Sequence, residues 1–257
     1  MKESSKKDQE KKITEVPTFP VPFAVGEIKE SFSISTNLYK IPTKDQIINQ
    51  AYNFHSTGNI QEAVKYYQYF INQGFEDHRV FSNYGVILRD LGNLKGAESF
   101  QRKAIELNPN FAEAHSNLGI ILKDLGNLQE AQNSYYQAIE LNPSFAEPYS
   151  NLGNIFRDLG KLEEAENTYR KAVELKPDSA ELYYNLGTIL KDLKKLDESI
   201  NCYDKAIELR KDFKQALAEM GISMTLMGNY KEGLQKIKEG YGSIVFDHIT
   251  SAMRVEV

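Results

Sequence analysis

The sequence predicts an all-α solenoid made of antiparallel helix pairs, and three observations carry that prediction. The segment 112–145, AEAHSNLGIILKDLGNLQEAQNSYYQAIELNPSF, recurs at a spacing of 34 residues as 78–111, 146–179 and 180–213. Weaker copies occupy 44–77 and 214–247, so the array holds about six units with degenerate first and last members. Each copy contains two stretches of helical periodicity, divided by a glycine and closed by a proline or its remnant. A single unit cannot bury its apolar stripes alone, so such units stack into a solenoid in which each touches only its neighbours.

Within the unit that starts at Ala112, the first helix is predicted from about Glu113 to Leu125. It stops at Gly126, where a left-handed residue suits the turn past a helix end. Gly58, Gly92, Gly160 and Gly228 fill the same slot, and Lys194 alone departs from it. The second helix is predicted from about Leu128 to Leu141, ending at Asn142-Pro143 because proline cannot continue the hydrogen-bond ladder. Pro109 and Pro177 repeat that stop, while Lys211 and Val245 have lost it. Ala114, Leu118, Ile121 and Leu125 form one apolar stripe of the first helix, and His115, Gly119 and Leu122 a neighbouring one. Gly119 recurs as Gly85, Gly153, Gly187 and Gly221, and is expected opposite the small residues Ala97, Ala131, Ala165 and Ser199. Tyr135, Ala138, Ile139 and Leu141 complete the packing face, with Gln101 standing where an aromatic is expected.

This period and small/large pattern resemble the tetratricopeptide repeat. The resemblance implies a right-handed superhelix whose first helices line the concave side. Residues 44–247 form the array, as units 44–77, 78–111, 112–145, 146–179, 180–213 and 214–247. Residues 1–43 read as a mostly disordered leader: a charged polar tail, then Pro17, Pro20 and Pro22 alternating with Phe19, Val21 and Phe23, then a strand-like Ser31 to Ser35. Residues 248–257 form a C-terminal tail, preceded by Ser243 to Phe246, which reads as strand. In the last unit Gly233 and Gly240 are expected to weaken the second helix, by roughly 1 kcal/mol each against alanine. Ala216, Met220, Met224 and Met227 leave an adaptable apolar surface on that unit. The tail, with Ile244, Phe246 and Ile249, is expected to fold back over it, the alternative being a homodimer through the C-terminal repeat.

Composition bounds the function. The net charge of −5 argues against a nucleic-acid partner, since phosphate neutralisation dominates such binding. The single Cys202 excludes a disulfide framework and suits a reducing, cytoplasmic setting. No apolar run is long enough to span a membrane. The histidines His55, His78, His115 and His248 have no ligand spacing, and no phosphate loop or nucleophile elbow occurs. The chain is therefore expected to be no enzyme and to need no cofactor and no metal.

The informative row lies on the remaining face of the first helix. Its sixth position reads Asn49, Asn83, Asn117, Asn151 and Asn185, and its thirteenth Asp90, Asp124, Asp158 and Asp192. Beside the aspartates stand Arg89, Lys123, Arg157 and Lys191, expected to pair with them across repeats. An asparagine amide can pair with any peptide group without reading side chains. Five such rungs at roughly 0.5–1.5 kcal/mol each give a permissive grip that needs further anchors. The row is similar to the asparagine ladder in the repeat arm of O-linked N-acetylglucosamine transferases, which implies a grip on extended protein segments; the catalytic half of those enzymes is absent. Asparagine bonding between adjacent helices is the competing reading. The carboxylate clamp of chaperone-binding repeats lacks its residues here, with Ser82, Ser116 and Ser150 where lysine belongs. The expected function is a scaffold that binds a protein or an extended peptide segment in its groove. The alternative is the recognition arm of a glycosyl- or methyltransferase whose catalytic domain is absent from this chain.

Overall fold

The structure is a computed structural model of the 257-residue chain, and it describes residues 42–247 and 252–256. The leader before residue 42, with its proline-rich and strand-like segments, lies outside the described residues, as do 248–251. Twelve helices run in six pairs: α1 Lys44–Ser56 and α2 Ile60–Asn72, α3 His78–Asp90 and α4 Leu94–Leu107, α5 Ala112–Asp124 and α6 Leu128–Leu141, α7 Ala146–Asp158 and α8 Leu162–Leu175, α9 Ala180–Asp192 and α10 Leu196–Leu209, α11 Lys214–Leu226 and α12 Tyr230–Tyr241. Each helix packs on the one before it and the one after it, giving an all-α solenoid of stacked antiparallel pairs. The first helices also touch across repeats, α3 on α5, α5 on α7 and α9 on α11, so they form the more closely spaced, inner row.

The turns explain the punctuation. Gly92, Gly126, Gly160 and Gly228 all sit at positive φ, and Lys194 takes the same slot at φ 63°. It is the one non-glycine at positive φ among the described residues, a conformation that costs an L-residue about 1 kcal/mol. The turn closes by a 6→1 bond: Asn127 N–H donates to the Leu122 carbonyl at 2.8 Å, and Lys195 N–H to that of Leu190 at 2.8 Å.

The core repeats as strictly as the turns. Ala131, Tyr135 and Ala138 are fully buried, and so are Ala165, Tyr169, Ala172 and Ser199, Tyr203, Ala206. The first-helix glycine has a second neighbour besides the one its register suggests. A Cβ on Gly119 would lie 2.6 Å from the ring of Tyr135, on Gly153 2.7 Å from Tyr169, and on Gly187 2.9 Å from Tyr203. The glycine therefore seats a ring four residues beyond the small residue, and the small residue approaches it as expected where Ser199 Oγ donates to the Gly187 carbonyl at 2.8 Å and where a Cβ on Gly85 would lie 3.2 Å from the Ala97 carbonyl oxygen.

The last pair corrects an expectation. Gly233 and Gly240 do not loosen α12. A Cβ on Gly233 would meet Thr225 Oγ1 at 2.3 Å and the Gly221 carbonyl oxygen at 2.7 Å; one on Gly240 would meet the Lys214 carbonyl oxygen at 2.6 Å. These glycines bring α11 and α12 into the most intimate helix contact of the array. After Gly242, β1 Ser243–Asp247 pairs antiparallel with β2 Ala252–Glu256, in the register Val245 to Arg254. The strand read at Ser243 to Phe246 is thus present, and the helical array ends at Tyr241, six residues before the boundary drawn at 247.

Candidate functional site

The inner row of first helices carries the predicted ladder. Asn49 is exposed, while Asn83, Asn117, Asn151 and Asn185 are half-buried. They are not equivalent. Asn117 Nδ2 donates to Ser82 Oγ of the preceding repeat at 3.3 Å, so this rung ties two first helices together. Asn83 lies beside the Tyr67 hydroxyl. Asn49, Asn151 and Asn185 make no side-chain hydrogen bond among the described residues, and their amides are available to a ligand.

The charged row behaves otherwise than expected. Arg89 pairs with its neighbour Asp90 at 2.7 Å and Arg157 with Asp158 at 3.2 Å, each within one repeat. Two residues adjacent in sequence meet more easily than residues a repeat apart. No zipper joins these rows across repeats, and Asp124 and Asp192 make no ion pair among the described residues. Lys191 does reach the next repeat, but it takes Glu219, which stands in the sixth position where the ladder ends. Tyr241 donates to the other oxygen of Glu219 at 3.0 Å, closing the groove's C-terminal end.

A cavity of about 330 Å³ opens on this face, lined by Ile120, Ala146, Glu147, Ser150, Asn151, Lys176, Ser179 and Leu182. It is small for a ligand pocket and mostly apolar at its floor. Glu147 and Lys176 stand 3.6 Å apart on its rim. Asn151 was legible from the sequence, and so was Ile120, which falls in the same helix stripe; Leu182 was not, because the repeat pattern marks it as an ordinary helix residue.

The residues under the groove show a further alternation. Tyr169 donates its hydroxyl to Asn154 Oδ1 at 2.7 Å, and Tyr203 to Thr188 Oγ1 at 3.3 Å. The residue in the equivalent place for Tyr135 is Ile120, which has nothing to accept with, and the Tyr135 hydroxyl is buried without a partner. Burial pushes the Tyr135 phenol well above its ordinary pKa, so it stays protonated. Gln101, with Val86 in that place, donates through Nε2 to the Ser82 carbonyl at 2.8 Å but leaves its Oε1 unpartnered. Replacing Tyr135 by phenylalanine should therefore stabilise the fold by about 1 kcal/mol, while Tyr169→Phe should destabilise it by about as much. Chemical denaturation of the two variants checks the opposite signs.

His115, read as a core histidine, instead ties a loop: its ring is half-buried and Nε2–H donates to the Pro109 carbonyl at 3.0 Å. Among the described residues no cluster of three or more histidine, cysteine, aspartate or glutamate side chains is placed to hold a metal ion. No helix among them is long and apolar enough to cross a membrane.

Family models agree with this geometry. Tetratricopeptide-repeat models match residues 78–111, 112–145, 134–167 and 180–213, and a TPR-repeat model matches 153–194. Together they run without a break from 78 to 213, more than half of the chain. The chain belongs to the tetratricopeptide-repeat family. No curated protein matches it in sequence. Solved structures share its fold. MamA is 25% identical with a TM-score of 0.57, over 65% of this chain and 94% of that one. PilF from Pseudomonas aeruginosa is 16% identical with a TM-score of 0.67, over 75% and 88%. YrrB, described as a TPR protein with an unusual peptide-binding site, is 21% identical with a TM-score of 0.57, over 68% and 90%. Tetratricopeptide-repeat proteins mediate protein–protein interaction, and this chain shares their repeat and their stacking.

Proposed function

We propose that this tetratricopeptide-repeat chain is a non-enzymatic, cytoplasmic scaffold that holds an extended peptide segment along its inner row of first helices. The observation that carries this reading is the Asn151 and Asn185 amides, half-buried and without a side-chain hydrogen bond among the described residues, with Asn151 lining a cavity of about 330 Å³. An amide held there can donate to one peptide carbonyl and accept from one N–H, which suits a backbone and no particular side chain. Asp124 and Asp192 flank the row as unpaired carboxylates, with Asp90 and Asp158 already engaged by arginine. Asn117 belongs to the structural reading, since its amide is spent on Ser82.

Converting Asn151 and Asn185 together to alanine should weaken binding of extended protein segments about thirtyfold, from two bonds of roughly 1 kcal/mol each. Melting should hardly change. If affinity for partners crosslinked from the native cell is untouched in a normally folded variant, the ladder does not bind backbone. The reading as a transferase's recognition arm rests on the asparagine row alone, and no structural feature adds to it.

Self-association through the C-terminal repeat is the second reading, favoured by one local change. Leu226, Met227 and Tyr230 are 55%, 48% and 64% exposed within five residues. Repeats two to five carry aspartate where Leu226 stands, and leucine where Tyr230 stands. The full chain should then dimerise at tens of micromolar, and Leu226→Asp should return it to monomer. Sedimentation equilibrium decides: a wild-type monomer throughout that range removes this reading.

A further inference from the structure

The third repeat, whose α5 lines the cavity, differs from the fourth and fifth repeats in a way that general stability does not explain. The ninth position of the repeat lies under the inner row and faces the core tyrosine fifteen residues on. In the fourth and fifth repeats it holds Asn154 and Thr188, each of which satisfies its tyrosine hydroxyl. In the third repeat it holds Ile120, and the Tyr135 hydroxyl is left buried and unpaired. Native proteins leave few such groups, and each calls for a reason. A polar residue would remove the defect at no packing cost, as the next repeat shows. What Ile120 provides instead is an apolar floor, completed by buried Ala146 and Leu182, under the Ser150 hydroxyl and the Asn151 amide. Local rules broken without a compensating gain in stability tend to mark functional positions.

The surrounding charge adds a second constraint. On the same helix face Glu113, Asp124 and Asp192 make no ion pair among the described residues, against one unpaired cation, Lys123. Glu147 is matched by Lys176 and Glu181 by Arg210. Three unpaired carboxylates against one ammonium leave the walls of the groove acidic.

We infer that this cavity is an anchor subsite for one bulky apolar side chain of the bound segment, and that the residues flanking that side chain are basic. The inference rests on the peptide-groove reading and names the class of segment that the groove selects. Asn151 and Asn185 hold the backbone on either side while Ile120, Ala146 and Leu182 receive the anchor. A cavity of about 330 Å³ has room for one side chain with its own backbone and none for a folded domain. Ligand and groove then share the work. The amides grip without sequence preference, the apolar floor chooses the register, and the acidic walls favour cationic flanks and disfavour acidic ones.

The test uses the full chain and capped nonapeptides in which a central residue X is flanked by alternating serine and lysine, followed by fluorescence anisotropy. Leucine or phenylalanine at X should bind at least tenfold more tightly than alanine, and replacing the lysines by glutamates should lose at least tenfold. The decisive variant is Ile120→Asn, which supplies the acceptor that Tyr135 lacks and so should fold at least as stably as the wild type. It should abolish the preference for leucine over alanine in a protein whose denaturant midpoint is no lower than that of the wild type. If the leucine and alanine peptides bind the wild type equally, the anchor subsite is overturned and the backbone grip stands. Retention of the leucine preference in Ile120→Asn overturns the assignment of the floor. Equal binding of glutamate-flanked peptides overturns the basic-flank rule. If no peptide of the set binds at any attainable concentration, the groove reading fails together with the subsite.

Discussion

Gly233→Ala should destabilise the protein by about 2–3 kcal/mol, although the same exchange in a free helix stabilises it by about 1 kcal/mol. A Cβ at that position meets the Gly221 carbonyl oxygen at 2.7 Å and the Thr225 amide nitrogen at 2.9 Å, both backbone atoms that no rotamer change can remove. Thr225 Oγ1, nearer still at 2.3 Å, already donates to the Gly221 carbonyl at 2.8 Å and is not free to turn away. Relief requires α12 to move off α11, and that movement would also pull Gly240 from the Lys214 carbonyl and Tyr241 from Glu219. Gly240→Ala should act in the same direction, against Ala218 Cβ at 2.7 Å and the Lys214 carbonyl at 2.6 Å. Denaturant unfolding measures both. A stabilised Gly233→Ala variant would show that the helix pair closes less tightly than described here.

The contrast between those glycines and the turn glycines shows what a repeat sequence discloses. The left-handed turn is legible because it is local: Gly92, Gly126 and Gly160 serve it by their own φ, and even the exception, Lys194, keeps the conformation. Helix extents are legible for the same reason, with the second helix of the third repeat running Leu128–Leu141 as predicted and the first displaced by one residue. Depth is not legible. Periodicity places Gly119 and Gly233 on a packing face, but whether a ring, a carbonyl or a methyl occupies the far side depends on how closely two helices approach. Hence the sequence does not show that Gly119 also seats the ring of Tyr135, or that Gly233 sets the contact between α11 and α12. The asparagine row illustrates a second limit. All five residues are identical in sequence, and Ser82, Ser116 and Ser150 stand alike one repeat before Asn117, Asn151 and Asn185, yet among the described residues only Asn117 is bonded to its serine. Gln101 was visible as an odd residue in an aromatic slot; that its Oε1 is stranded follows only from Val86 standing in the place that could have accommodated it.

The other large effect is expected at Glu166, on the outer row. Its carboxylate is 7% exposed and takes hydrogen bonds from Arg170 Nε at 2.9 Å and from Lys195 Nζ at 2.7 and 2.9 Å. Lys195 belongs to the next repeat, and Arg170 extends onward to Glu198 there, so one carboxylate joins α8 to α10 twice over. The second and third repeats have a simpler version, Arg102 between Glu98 and Glu130, without the lysine. Burial alone would raise the pKa of Glu166, but the bonds from Lys195 and Arg170 outweigh it and hold the group below its ordinary value. A carboxyl whose folded pKa is depressed adds stability above its unfolded pKa, near 4.5, and loses it as pH falls through the lower folded value. Glu166→Gln should therefore cost about 2 kcal/mol at neutral pH, where charge-assisted bonds to two cations are lost. Arg170 and Lys195, both nearly half exposed, can rehydrate, which keeps the loss below that of a fully buried pair. The cost should shrink as pH falls below about 4.5 and disappear below the lower folded pKa, where wild type and variant both carry a neutral side chain. Paired denaturation curves at pH 7 and pH 3 measure it. A difference between the two proteins that is the same at both values would mean that Glu166 contributes packing and no charge.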